Sequence, residues 1–194
     1  MDEKETLLRY LRAQRTSLLG KLDGLGEYDI RRPLTPTGTN LLGLVKHVAG
    51  VQLDYFGEVF GRPAALEPPW LAQDAEPNAD MWATPEETRD EIVQLHRFSA
   101  EHSDATIEAL PLDAPGEVPW WGDDRHVTLH QILVHMCVET ARHAGHADIV
   151  RELVDGAVGS RRDDPNIPAI DWPQYRDRVE AAARASVRVR RAGP

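Results

Sequence analysis

The residues best suited to chemistry fall in one stretch, Glu139-Thr140-Ala141-Arg142-His143-Ala144-Gly145-His146. Glu139 and His143 are four positions apart, and on a helix such a pair has Cβ atoms about 5–6 Å apart. A carboxylate and an imidazole at that spacing can meet one divalent ion, as helix-borne zinc ligands do. The same spacing also serves a hydrogen-bonded structural pair. The short motif alone does not separate the two.

The surrounding pattern adds to it. At about 100° per residue, with His143 at zero, Leu129, Ile132, Met136, Ala147, Val150 and Val154 all fall within about 40°. That arc is the face expected to be buried, and Glu139 at about −40° and His146 at about −60° point toward it. An ionised carboxylate so placed is costly unless it is paired or bound to a cation.

A third ligand must come from another helix. His47 is the candidate, because Leu44 and Val51 share its face. Asp54 lies on that face too and is suited to orient a ligand or substrate. His135 extends the Glu139–His143 ladder by one more step of four. It sits on the flank, and two turns are too long for all three side chains to share one ion, so it is expected beside the cluster. His146 is expected next to the ligands or at the substrate. Arg142 is suited to hold an acidic group at the pocket rim, or to a surface salt bridge. Cys137 falls where it would pack.

Four long segments with helical character must position these residues. The first runs from about Lys4 to Leu22 and stops at Gly24 and Gly26. The second follows the N-capping pair Thr39-Asn40 and runs to about Phe60. The third is expected to start at the capping box Thr84-Pro85-Glu86-Glu87 and to reach Leu110 before Pro111. The fourth runs from near Thr128 to Val154, ahead of Asp155-Gly156. A shorter helix is expected from Pro173 to Ala185. Period-two alternation is absent over any useful length, so strands are not expected. The expected fold is all-α, a four-helix bundle over residues 1–194 as a single domain. Two long connections, about 61–83 and 111–127, carry Trp70, Trp82, Trp120 and Trp121. Long ordered loops tend to cover a site, and these tryptophans suit either packing over the bundle end or the lining of a pocket.

Composition narrows the partners. The chain has 194 residues, 41% apolar and 28% charged, which is ordinary for a globular domain with a real core. Its net charge of −10 argues against nucleic acid. The basic cluster of Arg184, Arg188, Arg190 and Arg191 reads as a solvated end. No apolar run approaches the ~20 residues of a membrane span, and the first residues lack the pattern of a secretory signal. A single cysteine, Cys137, excludes an intrachain disulfide and fits a reducing, cytoplasmic setting.

His47 together with Glu139-Thr-Ala-Arg-His143-Ala-Gly-His146-Ala-Asp148 resembles the DinB-like metalloproteins. More narrowly it resembles the branch of mycothiol-dependent maleylpyruvate isomerases and mycothiol S-transferases, a likeness extending to Tyr55–Pro63 and Arg151-Glu152-Leu153. Many members use three histidines; Glu139 at the middle position matches the isomerase-like pattern instead. The resemblance implies a four-helix bundle holding one divalent metal through His47, Glu139 and His143. Zinc is the first choice, with nickel, iron or manganese as alternatives. It further implies a low-molecular-weight thiol, mycothiol, that binds at the metal and attacks an electrophilic small molecule, as in detoxification. Other readings stay open: a metal-binding stress protein without turnover, a hydrolase or isomerase using metal-bound water, or a non-haem iron oxygenase. The sequence leaves the oligomeric state open, a homodimer included.

Overall fold

The computed structural model describes residues 1–66, 68–72, 74–160 and 166–191, with the side chains of 187–191 left out. Its helices are α1 (Glu3–Gly20), α2 (Glu27–Arg31), α3 (Leu41–Phe56), α4 (Arg89–Ala109), α5 (Leu129–Asp155) and α6 (Trp172–Arg191). Two three-residue strands, β1 (Pro115–Glu117) and β2 (His126–Thr128), pair antiparallel with Gly116 opposite Val127. The expectation of an all-α bundle holds. α1, α3, α4 and α5 form it, with α1 against α5 and α3 against both α4 and α5.

Local signals explain most boundaries. The Asp2 side chain caps α1 and Glu5 returns a bond to the Asp2 N–H. Asn40 caps α3 and Thr128 caps α5, while Gly156 closes α5 in the left-handed region at φ 77°. The expected start of the third long helix needs correction. Thr84-x-x-Glu87 and Thr88-x-x-Glu91 are tandem capping boxes, and the second one nucleates α4. Glu87 does accept the Thr84 N–H at 2.8 Å, but its carboxylate is also claimed by Lys46 at 2.8 Å, so Thr84–Glu87 forms a turn. The C-terminal helix is also longer than expected, reaching Arg191.

The core is divided lengthwise. One apolar cluster includes Leu11, Phe56, Ile107 and Met136; the other includes Leu18, Val48, Ile92 and Ala147. Between them each bundle helix contributes buried polar groups: Arg15, Gln52, His96 with Ser99, and Thr140. Arg15 is held by Asp104 at 2.6 Å, and Ser103 Oγ donates to Ser99 O at 2.6 Å. Glu139 and His143 bracket Thr140, so the candidate chemistry lies at the level of this polar belt.

The loop after α3 folds back on the same helix. A Cβ at Gly43 would lie 1.8 Å from Met81 O, and one at Gly50 would lie 2.6 Å from the Trp70 ring. These glycines are places where the loop backbone and Trp70 approach too closely for any side chain. Lys46 lies between them on the same face, 1% exposed. Its ammonium donates to Ala79 O (2.8 Å) and Trp82 O (2.9 Å), pairs with Glu87, and sits 4.8 Å from the Trp70 ring centroid. A buried lysine is costly unless its charge is met this fully. Here it fastens the long loop to the helix that carries His47.

Candidate metal centre

His47 on α3 and Glu139 and His143 on α5 converge. Glu139 Oε1 lies 2.8 Å from His143 Nε2 and 3.3 Å from His47 Nε2. One ligand atom from each of the three residues lies within 4.8 Å of the others. The imidazole rings meet edge to face with centroids 4.6 Å apart. The Glu139 side chain is 26% exposed, whereas those of His47 and His143 are 16% and 11% exposed. The cluster therefore opens to solvent on the carboxylate side.

Asp80, on a short 3₁₀ turn of the long loop, was not evident from the sequence. Its Oδ2 lies 2.6 Å from His47 Nδ1. A ring that donates from Nδ1 to Asp80 presents, when neutral, a bare Nε2 lone pair to the Glu139 carboxylate. Two acceptors facing each other at 3.3 Å require a proton or a cation between them. The donor set thus fits a divalent ion, with Asp80 placed as the carboxylate that would fix the tautomer of a candidate ligand.

The electrostatics follow from the same contacts. Burial acts to lower the His47 pKa, but hydrogen bonds to Asp80 and Glu139 outweigh it and raise the value. Burial lowers His143, and the nearby His47 lowers it further. Burial acts to raise Glu139, yet charge and hydrogen bonding from the two histidines leave it below the usual carboxylate range. Asp80 is lowered, first by its hydrogen bond from His47. Opposite His143 Nε2, the buried Nδ1 has no hydrogen-bond partner among the described residues.

The remaining candidates separate. His135 lies beside the cluster, with its ring centroid 4.7 Å from that of Tyr55 and 4.9 Å from that of Trp121, and burial lowers its pKa. Tyr55 Oη accepts N–H bonds from Trp120 (3.3 Å) and Trp121 (3.1 Å). These four rings form an aromatic wall next to Glu139. His146 is exposed, with its ring centroid 5.4 Å from that of His143. Arg142 is exposed on the outer side of α5 and holds no acidic group among the described residues. Cys137 packs half-buried, its thiol directed at Leu7 O.

Asp54 makes no hydrogen bond or ion pair with His47 among the described residues. It lines a cavity of about 530 Å³ with Glu58, Leu53, Leu66, Pro69 and Leu71, beneath the same loop that carries Asp80. Burial, with the charges of Glu58 and Asp80, raises its pKa to about 6.

A helical bundle with a solvent-accessible His-Glu-His cluster defines a DinB-like candidate metalloprotein. The chain matches the mycothiol-S-transferase family over residues 6–156, and it belongs to that family. Among solved structures it is similar to a conserved protein from Enterococcus faecalis, at 16% identity and a TM-score of 0.58. That similarity covers 81% of this chain and 99% of the other, and at such identity it speaks for the fold. Among curated proteins none matches the chain. No described helix is long and apolar enough to cross a membrane.

Proposed function

We propose that this protein is a metal-dependent thiol transferase that joins a low-molecular-weight thiol, mycothiol, to an electrophilic small molecule. One observation carries the reading: the three convergent ligand atoms of His47, Glu139 and His143 in a mycothiol-S-transferase family member. These residues would hold one divalent cation, zinc by the nature of the donors. When bound, that cation supplies the Lewis acidity that lowers a thiol pKa, making the thiolate available as nucleophile at neutral pH.

The protein's own groups supply position and selection. Asp80 holds His47 in the Nδ1–H tautomer, so that Nε2 is free to bind. The 26% exposure of Glu139 leaves an approach for a thiol from solvent. Asp54 and Glu58, in the cavity beneath the loop, are suited to accept hydrogen bonds from a hydroxyl-rich thiol conjugate. The wall of Tyr55, Trp120, Trp121 and His135 offers flat, weakly polar surface for the electrophile.

Cobalt substitution tests this directly, in a Cys137→Ser background to remove the native thiol. Adding mycothiol should produce intense near-ultraviolet thiolate-to-cobalt bands and release about one proton per site. Turnover of a model electrophile should then require both metal and thiol. Activity that persists without any thiol would overturn the proposal and assign the nucleophile to water.

A further inference from the structure

α5 carries large apolar side chains on two opposite sides. Its inner face, with Ile132, Met136, Ala147 and Val150, fills the bundle. On its outer side Val134, Val138, Ile149 and Leu153 are 41%, 64%, 61% and 60% exposed. The exposed Ala141 and the half-buried Gly145 lie between them. A Cβ at Gly145 would meet nothing within 4 Å, so no contact within this chain requires glycine there. Arg142 and Glu152 are exposed on the same side, so the outer face is an apolar stripe edged by charge and left uncovered within this chain.

α6 has the converse property. Every described side chain from Trp172 to Ser186 is exposed, including Trp172 (42%), Tyr175 (43%) and Val179 (52%). These three lie on one face at i, i+3 and i+7, continued by Ala182, Ala183 and Ser186. Such a helix gains most of its stability from packing that face. α6 also lies outside residues 6–156, the span shared with the family.

We infer that α6 of one copy packs antiparallel along the outer face of α5 in a second copy, reciprocally, making an exchanged homodimer. The lengths agree: α6 has 20 residues, and the bare face from Val134 to Leu153 covers the same number, each about 30 Å at 1.5 Å per residue. Antiparallel alignment sets Trp172 and Tyr175 against Ile149 and Leu153, and Val179 into the gap at Gly145.

Charge fixes the same polarity. α6 carries six arginines against Asp177 and Glu180 in a chain of net charge −10, so the rest of the chain is the acidic part. The arginine-rich C-terminal half of α6 would run toward the N-terminal end of the partner's α5. There Asp123 and Asp124 are exposed beside Gln131, with no ion pair among the described residues. The chain leading out of α5 is tied to α1 and not to the outer face of α5 among the described residues. Ser17 Oγ donates to Ser160 O at 2.8 Å and the Lys21 ammonium bonds Gly159 O, fastening this segment to α1. A two-fold axis then covers both bare faces twice with one kind of contact.

Sedimentation equilibrium of the full chain over a wide concentration range tests this, with Ile149→Glu on α5 and Val179→Glu on α6. Wild type should be a dimer. Each variant, altering an exposed residue, should keep its circular dichroism and weaken dimerisation at least about a hundredfold by placing a charge in an apolar contact. Mixing the two variants should restore a heterodimer, because the intact α6 of one meets the intact α5 of the other. A dimer that survives Val179→Glu would mean direct α5–α5 pairing and would overturn the inference. A wild-type monomer at every concentration overturns it too, whether α6 then binds anionic lipid vesicles or its own α5.

Discussion

Asp80 Oδ2 and His47 Nδ1 meet at 2.6 Å although 33 residues of chain separate them. The contact exists because Lys46, the residue before His47, holds the intervening loop through Ala79 O and Trp82 O on either side of Asp80. The helix thus presents one candidate metal ligand and, from the neighbouring residue, builds the support that orients it.

Asp80→Asn should therefore reduce metal affinity by about 10–100-fold while leaving helicity unchanged, the range expected for loss of a carboxylate behind a ligating histidine. Competition against a chromophoric chelator measures this. His47→Ala and His143→Ala should abolish one-to-one loading, and His135→Ala should have a much smaller effect. Equal losses in all three would bring His135 among the ligands.

Lys46→Met should act through the same loop. Removing the ammonium leaves two backbone carbonyls and Glu87 without their partner, a cost of about 2–4 kcal/mol given that Glu87 keeps contact with water. Urea denaturation gives the stability change, and metal titration should show weaker binding in the folded variant as Asp80 loosens. Unaltered metal affinity would separate the loop from the cluster.

Much of this was legible in the sequence. The period of α5 and the spacing of Glu139 and His143 fixed which face turned inward, and His47 followed from Leu44 and Val51. Asp80 was not legible, because its partner is distant in the chain and its loop has no periodicity. Gly43, Lys46 and Gly50 are a readable sign of close packing: a lysine flanked by two glycines at helical spacing on an otherwise apolar helix. The start of α4 lies beyond the Thr84 box because two capping boxes stand in tandem and only tertiary pairing of Glu87 with Lys46 decides between them. The tryptophans near Tyr55 could be assigned to the loops, but their convergence on one hydroxyl could not.

His96 should make stability pH-dependent. It is 2% exposed, and burial, with Arg15 and Arg97 nearby, lowers its pKa to about 4. The ordinary value is about 6.5, so between these limits the unfolded chain binds more protons than the folded one. Stability contributed by the neutral ring is complete above pH 6.5 and falls as pH drops toward 4, by up to about 3 kcal/mol. Comparing unfolding free energies of wild type and His96→Gln across this window isolates the effect. Parallel pH profiles would assign the acid sensitivity to other groups.

Asp54 should behave in the opposite sense. Its pKa is raised to about 6, above the ordinary carboxylate value, so the folded state is the one that binds more protons between pH 4 and 6. Folding is therefore opposed by Asp54 once pH rises through 6. Asp54→Asn should stabilise the metal-free protein at pH 7 by about 1 kcal/mol, after allowance for its partial exposure. A carboxylate kept at such a cost beside a 530 Å³ cavity is expected to serve binding. The same variant should then raise KM for the thiol several-fold with metal loading intact and kcat little changed, because the amide keeps the shape and loses the anionic acceptor. Unchanged thiol KM in a stabilised variant would mean that the cavity is not where the thiol conjugate lies.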